Sequence, residues 1–177
     1  MRRVSVLVCA VAVVAIMGCG GSGTPVTTLN VTLGSLLHPT LGPSVDLDAA
    51  SLQGVKSVEA IKSGSGVDII ISYSGAKSAM RVTTPVYARD SSGVSVYVGW
   101  DTAAATDFVK VAGTKFTSLS TAEEIRALYS AGPVITSSDV TKGDAFVVKT
   151  DQGKYVAFEV VDFEQTSSGT STIAVKR

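Results

Sequence analysis

The chain has 177 residues, with 15 lysine or arginine against 15 aspartate or glutamate side chains and a formal net charge of zero. Such a balance supplies neither the basic patch a nucleic-acid binder needs nor the acidic block of a polyanionic tail. The single histidine excludes any catalytic or metal site built on a histidine pair.

Residues 1–18 read as a signal peptide. Arg2 and Arg3 form a positive n-region, and Val4 to Met17 is an almost unbroken apolar run, shorter than the ~20 residues a membrane-spanning helix needs. The run stops at Ile16-Met17-Gly18-Cys19, which resembles the lipobox of bacterial lipoproteins. That resemblance implies cleavage before Cys19, lipid attachment at Cys19 and an address in the cell envelope. Gly20 after the cysteine suits the outer membrane if the cell has two membranes. Cys9 is then discarded with the signal and Cys19 carries the lipid, so no thiol remains for a disulfide, a zinc site or a nucleophile.

Residues 19–28, rich in Gly, Ser and Thr, are expected to be a flexible tether. Residues 29–177 are expected to form a single β-rich globular domain, which their number permits. Val31 to Leu47, broken by Pro39, Gly42 and Pro43, reads as a short strand and a loop. Leu52, Val55, Val58 and Ile61 have the spacing of a short helix capped by Asp48. Val67 to Tyr73 and Ala79 to Thr84 read as strands, the second closed by Pro85. Val94, Val96, Val98 and Trp100 alternate as in a half-buried strand, and Asp107 to Val111 suits another.

Ser120-Thr-Ala-Glu123 has the form of a capping box, followed by Ala122, Ile125, Leu128 and Tyr129 on one face of a helix over 121–131. Gly132, at positive φ, and Pro133 are expected to end it. Ala145 to Lys149, Tyr155 to Phe163 and Ser171 to Lys176 read as a meander with turns at Asp151-Gln-Gly153 and Thr166 to Gly169. In it Val156, Phe158, Val160, Ile173 and Val175 turn to one face. The other, with Glu159, is expected to be open to a partner. The fold class predicted is α+β, mainly antiparallel β in a sandwich or meander, with one clear helix and a second short one.

The segment Gly143-Asp-Ala-Phe-Val-Val-Lys-Thr-Asp-Gln-Gly-Lys-Tyr-Val-Ala-Phe-Glu-Val-Val161 resembles an uncharacterised family of β-rich, lipid-anchored lipoproteins of diderm bacteria. Val31-Thr-Leu-Gly34, Val67-Asp-Ile69, Trp100 and Ala105-Thr-Asp-Phe108 agree with it in order. This resemblance implies a fold and an address but no activity. A looser similarity to the HmuY-like haem-binding lipoproteins implies a small-ligand carrier as the alternative; the histidine ligands of that family have no counterparts here.

The residues themselves offer little chemistry. His38 and Met80 have the donor types of a His/Met haem site, but a loop histidine and a strand methionine more simply serve structure. Asp46 and Asp48 alternate in extended chain and offer two oxygens to calcium, fewer than a calcium loop assembles. Glu123 and Glu124 suit the positive end of a helix better than acid–base work. Asp144 and Lys149 have the charges to pair across or along the terminal sheet, but a solvated face is the expected arrangement. Lys56, Lys62 and Lys77 have serines nearby, yet no nucleophile–base motif is present, which leaves a hydrolase as the third reading. No catalytic residue, metal site or cofactor is expected. Tyr73, Tyr87, Tyr97, Trp100 and Tyr155 are the aromatic candidates for a protein- or polysaccharide-binding surface, and the membrane is met through the lipid anchor.

Overall fold

The computed structural model describes residues 23–52, 54, 66–75, 77–91, 103 and 105–177. Cys19, Lys56, Lys62, Tyr97 and Trp100, and with them the expected strand over 94–100 and most of the helix over 48–62, lie outside the described residues. The protein is α+β and β-rich. Ten strands occur among the described residues: β1 (Thr28–Gly34), β2 (Ser44–Val45), β3 (Ile69–Ser74), β4 (Ala79–Thr83), β5 (Asp107–Val111), β6 (Val134–Ile135), β7 (Ser137–Val140), β8 (Ala145–Lys149), β9 (Tyr155–Phe163) and β10 (Thr170–Lys176). Three helices accompany them: α1 (Pro85–Ser91), α2 (Gly113–Ser118) and α3 (Ala122–Ala131).

The strands form two sheets in the orders β1-β10-β9-β8-β5-β6 and β2-β3-β4-β7, with every pairing antiparallel. Period-two alternation explains how they meet. Val31, Leu33, Phe146, Val148, Phe158, Val160, Ile173 and Val175 of the larger sheet share one core with Ile69, Ile71, Met80, Val82 and Val140 of the smaller. The opposite face of the larger sheet is also covered. Ala145, Val147, Ala157 and Ala174 pack there beneath Phe116, Leu119 and Ile125 from the segment of α2 and α3. A central strand such as β8 is therefore apolar on both sides and reads as an unbroken Ala-Phe-Val-Val run.

This helix layer corrects the expectation that the second face of the meander is open. Glu159 is half-buried, and Lys176 is buried under α2 at 9% exposure. The Lys176 ammonium donates to the carbonyls of Phe116, Thr117 and Leu119 at 2.9, 3.1 and 2.8 Å.

Other boundaries shift for local reasons. Residues 24–27 are hydrogen-bonded to the body of the fold, and β1 begins at Thr28. Ala122 N–H donates to Thr24 C=O, Val26 N–H to Ser120 C=O, and Thr27 and Arg177 exchange backbone bonds. Pro25 also bridges Thr121, which holds Thr121 extended, so α3 starts one residue later than Ser120 would allow. The capping box is Thr121/Glu124, with Glu124 Oε2 accepting from Ser120 N, Ser120 Oγ and Thr121 N at 2.7, 2.9 and 3.0 Å. Gly132 ends α3 in an extended conformation, φ −113°; its role is close approach, because a Cβ there would lie 2.1 Å from Val109 Cγ1. Pro85 does not simply stop β4. It opens α1, where a residue without an N–H costs nothing.

Candidate functional site

A cleft of about 590 Å³ opens between the 47–50 loop, the start of α3 and the β8–β9 turn. Leu47, Ala50, Val156 and Tyr155 give it apolar surface, and Asp48, Glu123, Arg126, Lys154 and Arg177 supply charge. Tyr155 is held edge-on to Tyr129, with ring centroids 5.1 Å apart, and the Arg126 guanidinium lies 5.8 Å from its ring centroid. Tyr129 in turn donates to Asp107 Oδ1. One aromatic thus stands on a rigid strand with a cation beside it, which is useful for recognition.

The 47–50 loop is held by Arg177. Its guanidinium donates to the carbonyls of Leu47 and Ala50 at 3.0 and 3.2 Å, and also to that of Ala49. Residues 47–51 make bends, so Asp48 caps no helix at this point. Asp46 instead organises the loop, its Oδ1 accepting from Asp48 N and Ala49 N, both at 2.9 Å.

Beneath the loop three carboxylates converge. Asp46, Asp48 and Asp68 each bring an oxygen within 4.8 Å of the others. Asp68, fully buried, precedes β3. Its Oδ2 accepts from Leu47 N at 2.7 Å and its Oδ1 from Asp151 N at 3.2 Å. The Asp48 side chain has no exposed surface, and Lys154 Nζ stands 3.2 Å from its Oδ1. Gly66, at φ +70°, passes so close that a Cβ would lie 2.9 Å from Asp46 Oδ2 and 3.8 Å from Asp151 Oδ2. A fourth carboxylate therefore borders the same space.

Burial governs how Asp68 and Asp46 hold their protons. Burial pushes the Asp68 carboxyl up to about 7, against two backbone hydrogen bonds and with help from the charges of Asp48 and Asp151. Burial likewise raises Asp46. Between pH 4 and 7 folded Asp68 holds a proton that the unfolded chain, with its carboxyl near 3.8, releases. Its contribution to stability is complete below about pH 4 and lost as pH rises through about 7. Urea unfolding in chelator-containing buffer should show this loss across that window, and Asp68→Asn should flatten the slope.

The other residues singled out by sequence are scattered. His38 is half-exposed, and its Nδ1 accepts from Thr40 N and Leu41 N at 3.2 and 3.0 Å. Met80 is buried in the core between the sheets. Glu123 lines the cleft, whereas Glu124 caps α3. Asp144 pairs with Lys110 at 2.8 Å, not with Lys149. Lys77 pairs with Asp139 at 3.6 Å. Tyr73 packs partly buried against the core, and Tyr87 Oη accepts from Arg81. Of the aromatic candidates among the described residues, Tyr155 alone lines the cleft. Asp68 and Asp151 were not legible as site residues, because the contacts that bring them to Asp46 and Asp48 are non-local. Comparison with protein-family profiles, curated proteins and solved structures gives no match.

Proposed function

We propose that the chain is a lipid-anchored cell-envelope lipoprotein, attached through Cys19, whose β-rich body is a non-catalytic module binding a partner protein or polysaccharide. In this reading it belongs with the β-rich lipoproteins of diderm bacteria that its 143–161 segment resembles, and it sits at the outer membrane. The observation that carries the reading is the Arg2-Arg3, apolar and Gly18-Cys19 order at the start of the sequence. The cleft supports the binding role, since it sets the Tyr155 ring and the Arg126 cation beside apolar wall, a mixture suited to one segment of a polymer or protein.

Anchoring through acyl chains depends on burying their methylenes, each worth about 0.8 kcal/mol. Cys19→Ser should therefore move the protein from the membrane fraction to the soluble fraction, or leave an unprocessed precursor. Normal processing and membrane recovery of that variant would reject the anchor.

A further inference from the structure

We propose that Asp46, Asp48 and Asp68 form a divalent-cation site selective for calcium, with Lys154 as the displaceable counter-charge. The inference stands on its own geometry and does not depend on lipid attachment. Its central observation is Asp48. Its side chain has no exposed surface, its Oδ1 meets only the Lys154 ammonium at 3.2 Å, and its buried Oδ2 has neither a hydrogen bond nor an ion pair among the described residues. A buried carboxylate oxygen left without any partner is costly unless a further cation meets it. Asp48 points into the space that two further carboxylates already border.

The donor set is all oxygen, which suits a hard cation and gives zinc or copper no nitrogen or sulfur ligand. The spacing suits calcium. Calcium–oxygen distances run ~2.3–2.6 Å, so ligands on opposite sides of one ion are separated by up to about 5 Å. The three oxygens lie within 4.8 Å of one another and fit one such sphere. Magnesium, at ~2.0–2.1 Å, makes stricter octahedral demands, which three carboxylates from separate stretches of chain meet less readily. Asp46 Oδ1 accepts two backbone N–H groups and each Asp68 oxygen accepts one, which orients the carboxylates; Asp46 Oδ2, without a hydrogen bond among the described residues, and a second lone pair on each Asp68 oxygen stay available. Asp151 borders the space from the β8–β9 turn, so a fourth carboxylate is at hand.

Lys154 supplies the only positive charge the described residues bring to Asp48. It is tethered loosely. Its side chain is 59% exposed and Nζ also reaches Gln152 Oε1 at 3.3 Å. A cation entering beside Asp48 displaces this ammonium toward solvent, at the edge of the cleft that Asp48 and Lys154 both line.

The test uses the full chain purified in detergent, stripped with a chelator and titrated with calcium chloride by calorimetry, alongside thermal unfolding. One equivalent should bind and the unfolding midpoint should rise with calcium concentration, with magnesium clearly weaker. Asp48→Asn should weaken binding by at least about tenfold, since even a lost second-layer contact to a metal ligand costs that much. Lys154→Met should tighten it, because the competing charge is gone; a residue with a merely structural role would not do this. The proposal is overturned if millimolar calcium gives neither heat nor a midpoint shift. It is also overturned if Asp48→Asn binds calcium with the wild-type affinity, or if Lys154→Met leaves the affinity unchanged. Should Asp48→Asn fail to fold, the wild-type titration and the Lys154→Met affinity still decide it.

Discussion

Phe158→Ala should lower the unfolding free energy by ~3–5 kcal/mol, the usual range for truncating a buried phenylalanine. That is a large part of the ~5–15 kcal/mol available to a domain. Phe158 is fully buried on β9, opposite Phe146 of β8 and Val175 of β10 in the register. Its ring stacks on Phe146 at 5.1 Å between centroids, and Phe146 meets Phe108 edge-on at 5.5 Å. Removing the ring opens a void in the middle of this aromatic row, where strands on both sides limit collapse. Glu159 is the control. It is half-buried on the opposite side of the same strand, and Glu159→Ala should cost less than about 1 kcal/mol. Urea denaturation of both variants checks the contrast; equal midpoints would mean that β9 does not present Phe158 to the core.

The sheet at the end of the chain was legible because its signals are local. Ala145–Lys149 and Tyr155–Phe163 have the bounds that the apolar runs and the Asp151-Gln-Gly153 turn predict, and Gly153 takes φ +76° there. The helix over 122–131 was likewise legible from the polar start before it, Gly132 after it and Ile125 on its buried face, although the capping box is Thr121/Glu124 and Gly132 is extended. Two-residue strands such as β2 and β6 are too short to carry a period. The seven residues of α1 and six of α2 span at most two turns, and Pro85 is equally compatible with ending a strand and opening a helix. The acidic cluster was half legible. Asp46 and Asp48 are adjacent in the pattern, but Asp68 hydrogen-bonds Leu47 across 21 residues and Asp151 reaches Asp68 across 83. No local rule brings those together. What assembles them is pairing of β2 with β3 and the shared core between the sheets.

Lys176 is the residue for which alternation alone gave the wrong environment. Along β10, Ile173 and Val175 face the inter-sheet core while Ala174 and Lys176 turn to the helix layer. A lysine there would suit solvent if the layer ended at Ala174. Instead the stem lies under α2, its ammonium 5.0 Å from the Phe116 ring centroid and bonded to three carbonyls at the end of that helix. The last carbonyls of a helix have no following N–H to receive, and a cation at that end also opposes the helix dipole. A six-residue helix has little other means of holding its last turn. Lys176→Met keeps the aliphatic stem and removes the charge. It should destabilise the fold by ~2–4 kcal/mol, because Thr117 and Leu119 carbonyls lose their donor at about 1–3 kcal/mol each. Lys176→Arg, which retains donors in a wider fork, should cost less. Urea unfolding gives the free energies, and amide exchange over 113–119 locates the effect. If Lys176→Met unfolds at the wild-type midpoint with unchanged exchange in α2, water serves those carbonyls and the lysine does not hold the helix. If α2 exchanges faster while the β8 and β9 amides stay protected, the helix layer is fastened to the sheet through this one ammonium.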